Sequence, residues 1–68
     1  MKIAVVGLGK LGSPLAAVLA SKGHDVTGVD LNRYFVDQIN AGRAPVVEPQ
    51  LQDLIDASKG RLRATSDY

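Results

Sequence analysis

The chain opens on Ile3-Ala4-Val5-Val6, apolar at every position rather than at alternate ones. A short unbroken apolar run fits a parallel strand covered on both faces, so residues 2–7 are predicted to be extended. From Leu11 the period changes. Leu11, Leu15, Val18, Leu19 and Lys22 fall on one helical face, and that stripe is the expected core side of a first helix. Pro14 sits in its first turn, where a missing N–H costs little, and Gly23 is placed to end it. His24-Asp25 then turn the chain into a second strand, Val26-Thr27-Gly28-Val29-Asp30. Residues 33–40 form a short amphipathic helix with Phe35, Val36 and Ile39 on its apolar side, closed by Asn40-Ala41-Gly42. Residues 44–47 are an extended connector. Glu48-Pro49 is expected to start another helix, because proline suits the first helical position. Leu51, Leu54 and Ile55 give that helix its apolar face, and Gly60 closes it. Residues 61–65 are a third strand, and Ser66-Asp67 resembles the N-cap of a further helix.

Between the first strand and first helix stands Gly7-Leu8-Gly9-Lys10-Leu11-Gly12. A G-x-G-x-x-G spacing is weak alone and strong between a strand and a helix, because each glycine then has a task. Gly7 allows the tight turn, Gly9 lets a diphosphate approach the backbone, and Gly12 lets the helix lie close to the strand. The helix N-terminus adds free N–H groups and a positive dipole end. Asp30 lies eighteen positions after Gly12, at the tip of the second strand. A carboxylate there accepts hydrogen bonds from both hydroxyls of an adenosine ribose and repels a 2′-phosphate, which favours NAD over NADP. The competing role for Asp30 is a helix N-cap, for which Asn32 is equally suited. Arg33 falls near the expected adenosine position. Lone His24 is expected to be a turn residue without a role.

The fold class that follows is α/β: the first half of a Rossmann fold, three parallel strands in the order 3-2-1. Right-handed crossovers put the helices on one face. The other face of the first two strands should be bare and the first strand an open edge, features that promote self-association.

Composition narrows the picture. The chain has 68 residues, 46% hydrophobic and only 4% aromatic, so its core is small and aliphatic. Eight basic residues against seven acidic ones give no reason to expect nucleic acid or an anionic membrane as partner. Lys59, Arg61 and Arg63 are expected to be a solvated basic edge. Without cysteine there is no disulfide, thiolate metal site or sulfur nucleophile. No apolar run reaches the roughly 18 residues of a membrane span, and the expectation is a soluble cytoplasmic chain.

The sequence resembles the N-terminus of the UDP-glucose/GDP-mannose dehydrogenase family along essentially its whole length. The resemblance rests on residues 1–9, Gly12, Pro14-Leu15-Ala16 and residues 22–30. More particular to that family are Asn40-Ala41-Gly42, Pro45, Glu48-Pro49 and Leu51, followed by Gly60-Arg61-Leu62, Ala64-Thr65 and Asp67-Tyr68. It implies two successive NAD-dependent oxidations of a sugar C6 alcohol to a carboxylate, through a covalent adduct on a cysteine. It also implies that Gly7, Gly9, Lys10, Leu11 and Gly12 belong to the NAD diphosphate loop, that Asp30 holds the ribose, and that Arg33 stands in for a missing cation. Three positions depart from the family pattern: Lys10 replaces an aromatic residue, Leu11 a valine, and Phe35 a basic residue. The family's catalytic cysteine and sugar-binding domain lie downstream. Residues 1–68 are therefore expected to be a non-catalytic N-terminal segment that meets a nucleotide sugar only through that further domain. Two other readings share the first half of the chain: a nucleotide-sensing regulatory domain of a potassium channel or transporter, and a dehydrogenase of the 6-phosphogluconate type. The segment from Pro45 to Leu51 separates both from the first.

Overall fold

Parallel pairing joins β1 (Lys2–Val6) to β2 (Asp25–Val29), with Ile3 opposite Val26 and Val5 opposite Gly28. β2 pairs in parallel with β3 (Leu62–Thr65), giving the order β1-β2-β3. The computed structural model that shows this describes residues 1–67. The expectation for Tyr68 lies outside them. Three helices fill the crossovers: α1 (Gly12–Ser21), then α2 (Arg33–Asn40) and α3 (Leu51–Ala57) between β2 and β3. The architecture is the Rossmann-like α/β half expected from the sequence, with strands in the order 3-2-1.

The core lies between one sheet face and the helices. Val5, Val26 and Leu62 meet Ala16, Ala17, Ala20, Ile39, Leu51 and Ile55 there. Ile39 and Val36 are buried on α2 as the pattern required, and Leu51 and Ile55 on α3. Each large aliphatic side chain fully withdrawn from water contributes about 1.5–3 kcal/mol.

α1 does not bury the stripe of large residues. Its packed face is Ser13, Ala16, Ala17 and Ala20, while Leu11 is 88% and Leu15 53% exposed. Both sets have helical spacing, so period alone does not separate them. Separation between helix and sheet decides it. A Cβ on Gly12 would stand 1.6 Å from the Gly7 carbonyl oxygen, so the helix starts in contact with the β1 end. At that distance only small side chains fit underneath. The helix ends as expected: Gly23 is left-handed (φ 99°), Gly23 N–H donates to Ala20 O and His24 N–H to Leu19 O, a Schellman motif.

α3 also departs from its expected start. Glu48 and Pro49 precede the helix; Gln50 is left-handed (φ 68°), and Leu51 N–H donates to Glu48 O at 3.2 Å. The chain reverses through Gln50 before the helix begins, so Pro49 belongs to the turn rather than the first helical position.

The bare sheet face and the open edge are present. Ala4 is exposed and Val6 is 67% exposed. Asp25 N–H donates to Met1 O and Gly7 N–H to Val29 O. By alternation Lys2, Ala4 and Val6 turn their backbone groups away from β2, and nothing among the described residues pairs with them. The far edge is different. Asn40 bridges the outward side of β3, accepting from Ala64 N–H and donating to Ala64 O, both at 2.9 Å. One side chain there satisfies a strand edge much as a neighbouring strand would.

Candidate functional site

The C-terminal ends of parallel strands are where α/β sheets place their ligands, and the residues singled out in the sequence gather there. Gly7 leaves β1 with φ 96°, a conformation that favours glycine, while its N–H still donates to Val29 O at 2.7 Å. The chain then passes into α1 through Leu8, whose side chain is fully buried. Leu8 lies directly over Gly28 of β2, where a Cβ would come within 2.4 Å of Leu8 Cδ2. The missing side chain in the middle of β2 thus makes room for the turn's one apolar anchor.

Beyond Leu8 the turn faces outward. A Cβ on Gly9 would meet no atom within 4 Å. Gly7, Gly9, Lys10, Leu11 and Gly12 line an open cleft of about 500 Å³ together with Val5, Val6 and Leu15. No side chain caps α1 and its first turn carries no acid. Among the described residues, the N–H groups of Gly9, Lys10, Leu11 and Gly12 find no acceptor; the first N–H to be answered is Ser13, which donates to Gly9 O at 3.1 Å. Unanswered donors, a positive dipole end and open space at a glycine are the elements of a phosphate cradle.

Asp30 follows β2 and turns toward this cradle. Its Oδ2 accepts from Leu8 N–H at 2.8 Å, and its Oδ1 accepts from Asn32 N–H at 2.8 Å. The Leu8 bond first, and the Asn32 bond second, hold its carboxyl below the ordinary carboxylate range, against a small opposing effect of burial. The group is ionised at neutral pH. It is not the cap of α2: Asn32 takes that role, accepting from Tyr34 N–H at 2.9 Å.

Arg33 is less tied to the site. It is exposed on α2 and faces Asp37 at 3.7 Å, a solvated pair one helical turn apart. Lys10 is exposed in the turn. Leu8, Ser13 and Gly28 escaped the sequence reading. The available signals were an apolar residue between two glycines, and a glycine inside a strand, which marks close approach of another segment.

A family model described as "UDP-glucose/GDP-mannose dehydrogenase family, NAD binding domain" matches residues 1–68. The chain belongs to this dehydrogenase family. It is the NAD-binding domain that matches, and the cofactor is NAD. The GDP-mannose 6-dehydrogenase of Pseudomonas savastanoi pv. phaseolicola is 44% identical over 70 residues, covering 100% of this chain and 16% of that protein. An NDP-N-acetyl-D-galactosaminuronic acid dehydrogenase of Ralstonia nicotianae is 54% identical over 67 residues, covering 96% of this chain and 16% of that protein. Among solved structures, a ternary complex of GDP-mannose dehydrogenase from Pseudomonas aeruginosa superposes with a TM-score of 0.93 at 42% identity, covering 98% of this chain and 16% of that one. The chain therefore spans about one sixth of the length of these dehydrogenases. No helix among the described residues is long and apolar enough to cross a membrane.

Proposed function

We propose that residues 1–68 supply the adenosine-diphosphate side of the NAD site in a nucleotide-sugar 6-dehydrogenase, which oxidises a sugar C6 alcohol to a carboxylate. One observation carries this: residues 9–12, whose N–H groups have no acceptor among the described residues, line an open cleft, and the ionised Asp30 accepts from the adjoining Leu8 N–H. Gly9, Lys10, Leu11 and Gly12 would hold the diphosphate through their backbone N–H groups. Asp30 would accept from the ribose hydroxyls with the lone pairs that Leu8 and Asn32 leave free; a carboxylate has about four such sites. Bound NAD supplies a hydride acceptor. The protein's part at this end is to bind and orient, since residues 1–68 contain no cysteine to form a covalent adduct. Arg33, exposed on α2, would be the cation to meet the adenosine, once released from Asp37.

The test is calorimetric or NMR titration of the 68-residue chain with NAD and with ADP-ribose. Both are expected to bind about equally and weakly, near millimolar or roughly −4 kcal/mol, and Asp30→Ala should weaken them alike. NAD binding much tighter than ADP-ribose contradicts this division of the site. The exposed Ala4 and Val6 and the open β1 edge also support self-association of the isolated chain. Light scattering at rising concentration should show dimers or larger species; a monodisperse monomer contradicts that.

A further inference from the structure

We infer that Ser13 and Asp30 clamp the two peptide groups of Leu8 from opposite sides, and that the clamp aims the Gly9 N–H into the cleft. The inference rests on the diphosphate reading above and adds positioning residues to it. Asp30 Oδ2 takes the Leu8 N–H. Ser13 Oγ, fully buried, donates to the Leu8 carbonyl in a short contact. The Leu8 side chain is wedged over Gly28 at the same time, so this residue is fixed at three points.

Peptide planarity makes the consequence specific. In a trans peptide the C=O and the following N–H point in opposite directions. Ser13 draws the Leu8 C=O inward, so the Gly9 N–H is turned the opposite way, and the backbone at Gly9 is itself open, a Cβ there meeting nothing within 4 Å. Asp30 draws the Leu8 N–H to its own side, so the Gly7 C=O is turned the other way, toward Gly12, where the structure finds it. A flipped Leu8–Gly9 peptide would put the Leu8 carbonyl oxygen where the Gly9 donor is needed, and a flipped Gly7–Leu8 peptide would set the Gly7 carbonyl oxygen against the Asp30 carboxylate. The acid at the β2 tip thus has a second task besides the ribose: it holds the diphosphate donors in place. A serine inside the first turn of α1, buried without any ligand duty of its own, has the same task.

The test uses the whole chain, amide NMR spectra to confirm that each variant is folded, and two probes: inorganic diphosphate, which has no ribose, and adenosine, which has no phosphate. Ser13→Ala should lower diphosphate affinity about fivefold, the loss of one neutral hydrogen bond, and leave adenosine unchanged. Asp30→Ala is the sharper variant. It removes a negative charge beside an anion site, so a role confined to the ribose would leave diphosphate binding unchanged or tighter. The clamp requires it to be several-fold weaker, because the Leu8 N–H is then left without its acceptor. Unchanged diphosphate binding in Ser13→Ala, or unchanged or tighter binding in Asp30→Ala, overturns the clamp and leaves the site itself standing. Equal loss of both probes in Ser13→Ala also overturns it, as general loosening of the fold. If the unaltered chain binds no diphosphate, the site reading fails and the clamp with it.

Discussion

Two turns leave the same end of the sheet side by side, and they treat their helices in opposite ways. The turn from β2 into α2 answers two of its donors with side chains: Asp30 accepts from Asn32 N–H, and Asn32 accepts from Tyr34 N–H. The turn from β1 into α1 has no capping side chain and, among the described residues, leaves the N–H groups of residues 9–12 without acceptors. It borrows its one carboxylate contact from its neighbour, at Leu8 rather than at the helix start. A helix N-terminus whose cap position is already filled by a side chain has less to offer an anion. An unsatisfied one beside open space carries several oriented donors and the positive end of a dipole. The difference between the two turns marks the candidate diphosphate site better than glycine content does, since left-handed glycines also stand at Gly23, Gly42 and Gly60, none of which lines that cleft.

Substitutions at the two turns should therefore have different consequences. Gly12→Ala has the largest expected effect. Its Cβ would meet a backbone oxygen at 1.6 Å, so α1 must move off β1. Overpacking of this severity should lower stability by about 3 kcal/mol or more, read by denaturant unfolding, and the cradle should be lost with it. A Gly12→Ala chain of unaltered stability would show that the helix is not seated on the β1 end. Asn32→Ala should have a smaller effect of about 1 kcal/mol, the usual worth of an N-cap, with diphosphate affinity unchanged because that cap serves only α2. A matching loss of diphosphate binding would erase the contrast between the turns.

Much of this end of the molecule was legible in the sequence, for a physical reason. The glycines of residues 7–12 and the acid at Asp30 are constrained by local backbone geometry and by the strand–turn–helix order, and both are written in residue type and spacing. The strands and their order followed from unbroken apolar runs and crossover handedness. What was not legible depends on distances between elements. α1 carries two stripes of equal period, and hydrophobicity favours the one with leucines; the approach of Gly12 to Gly7 selects the alanines instead. Pro49 fits a first helical position by type, but the chain turns through a left-handed Gln50 first. Leu8 and Ser13 became functional candidates only when the fold placed Asp30 and Gly28 beside them. Arg33 faces Asp37 in an exposed pair at 3.7 Å and has no contact with the glycine turn, so its part in the site was not legible from spacing alone.

The most direct test of the diphosphate cradle is an amide NMR titration of the chain with ADP-ribose, following every backbone N–H. The largest shifts are expected at Gly9, Lys10, Leu11 and Gly12, with a smaller response at Leu8 through Asp30 and almost none at Tyr34 or Leu51, the corresponding positions near the starts of α2 and α3. Largest shifts on the bare sheet face, at Lys2, Thr27 or Arg63, with residues 9–12 unmoved, would contradict it.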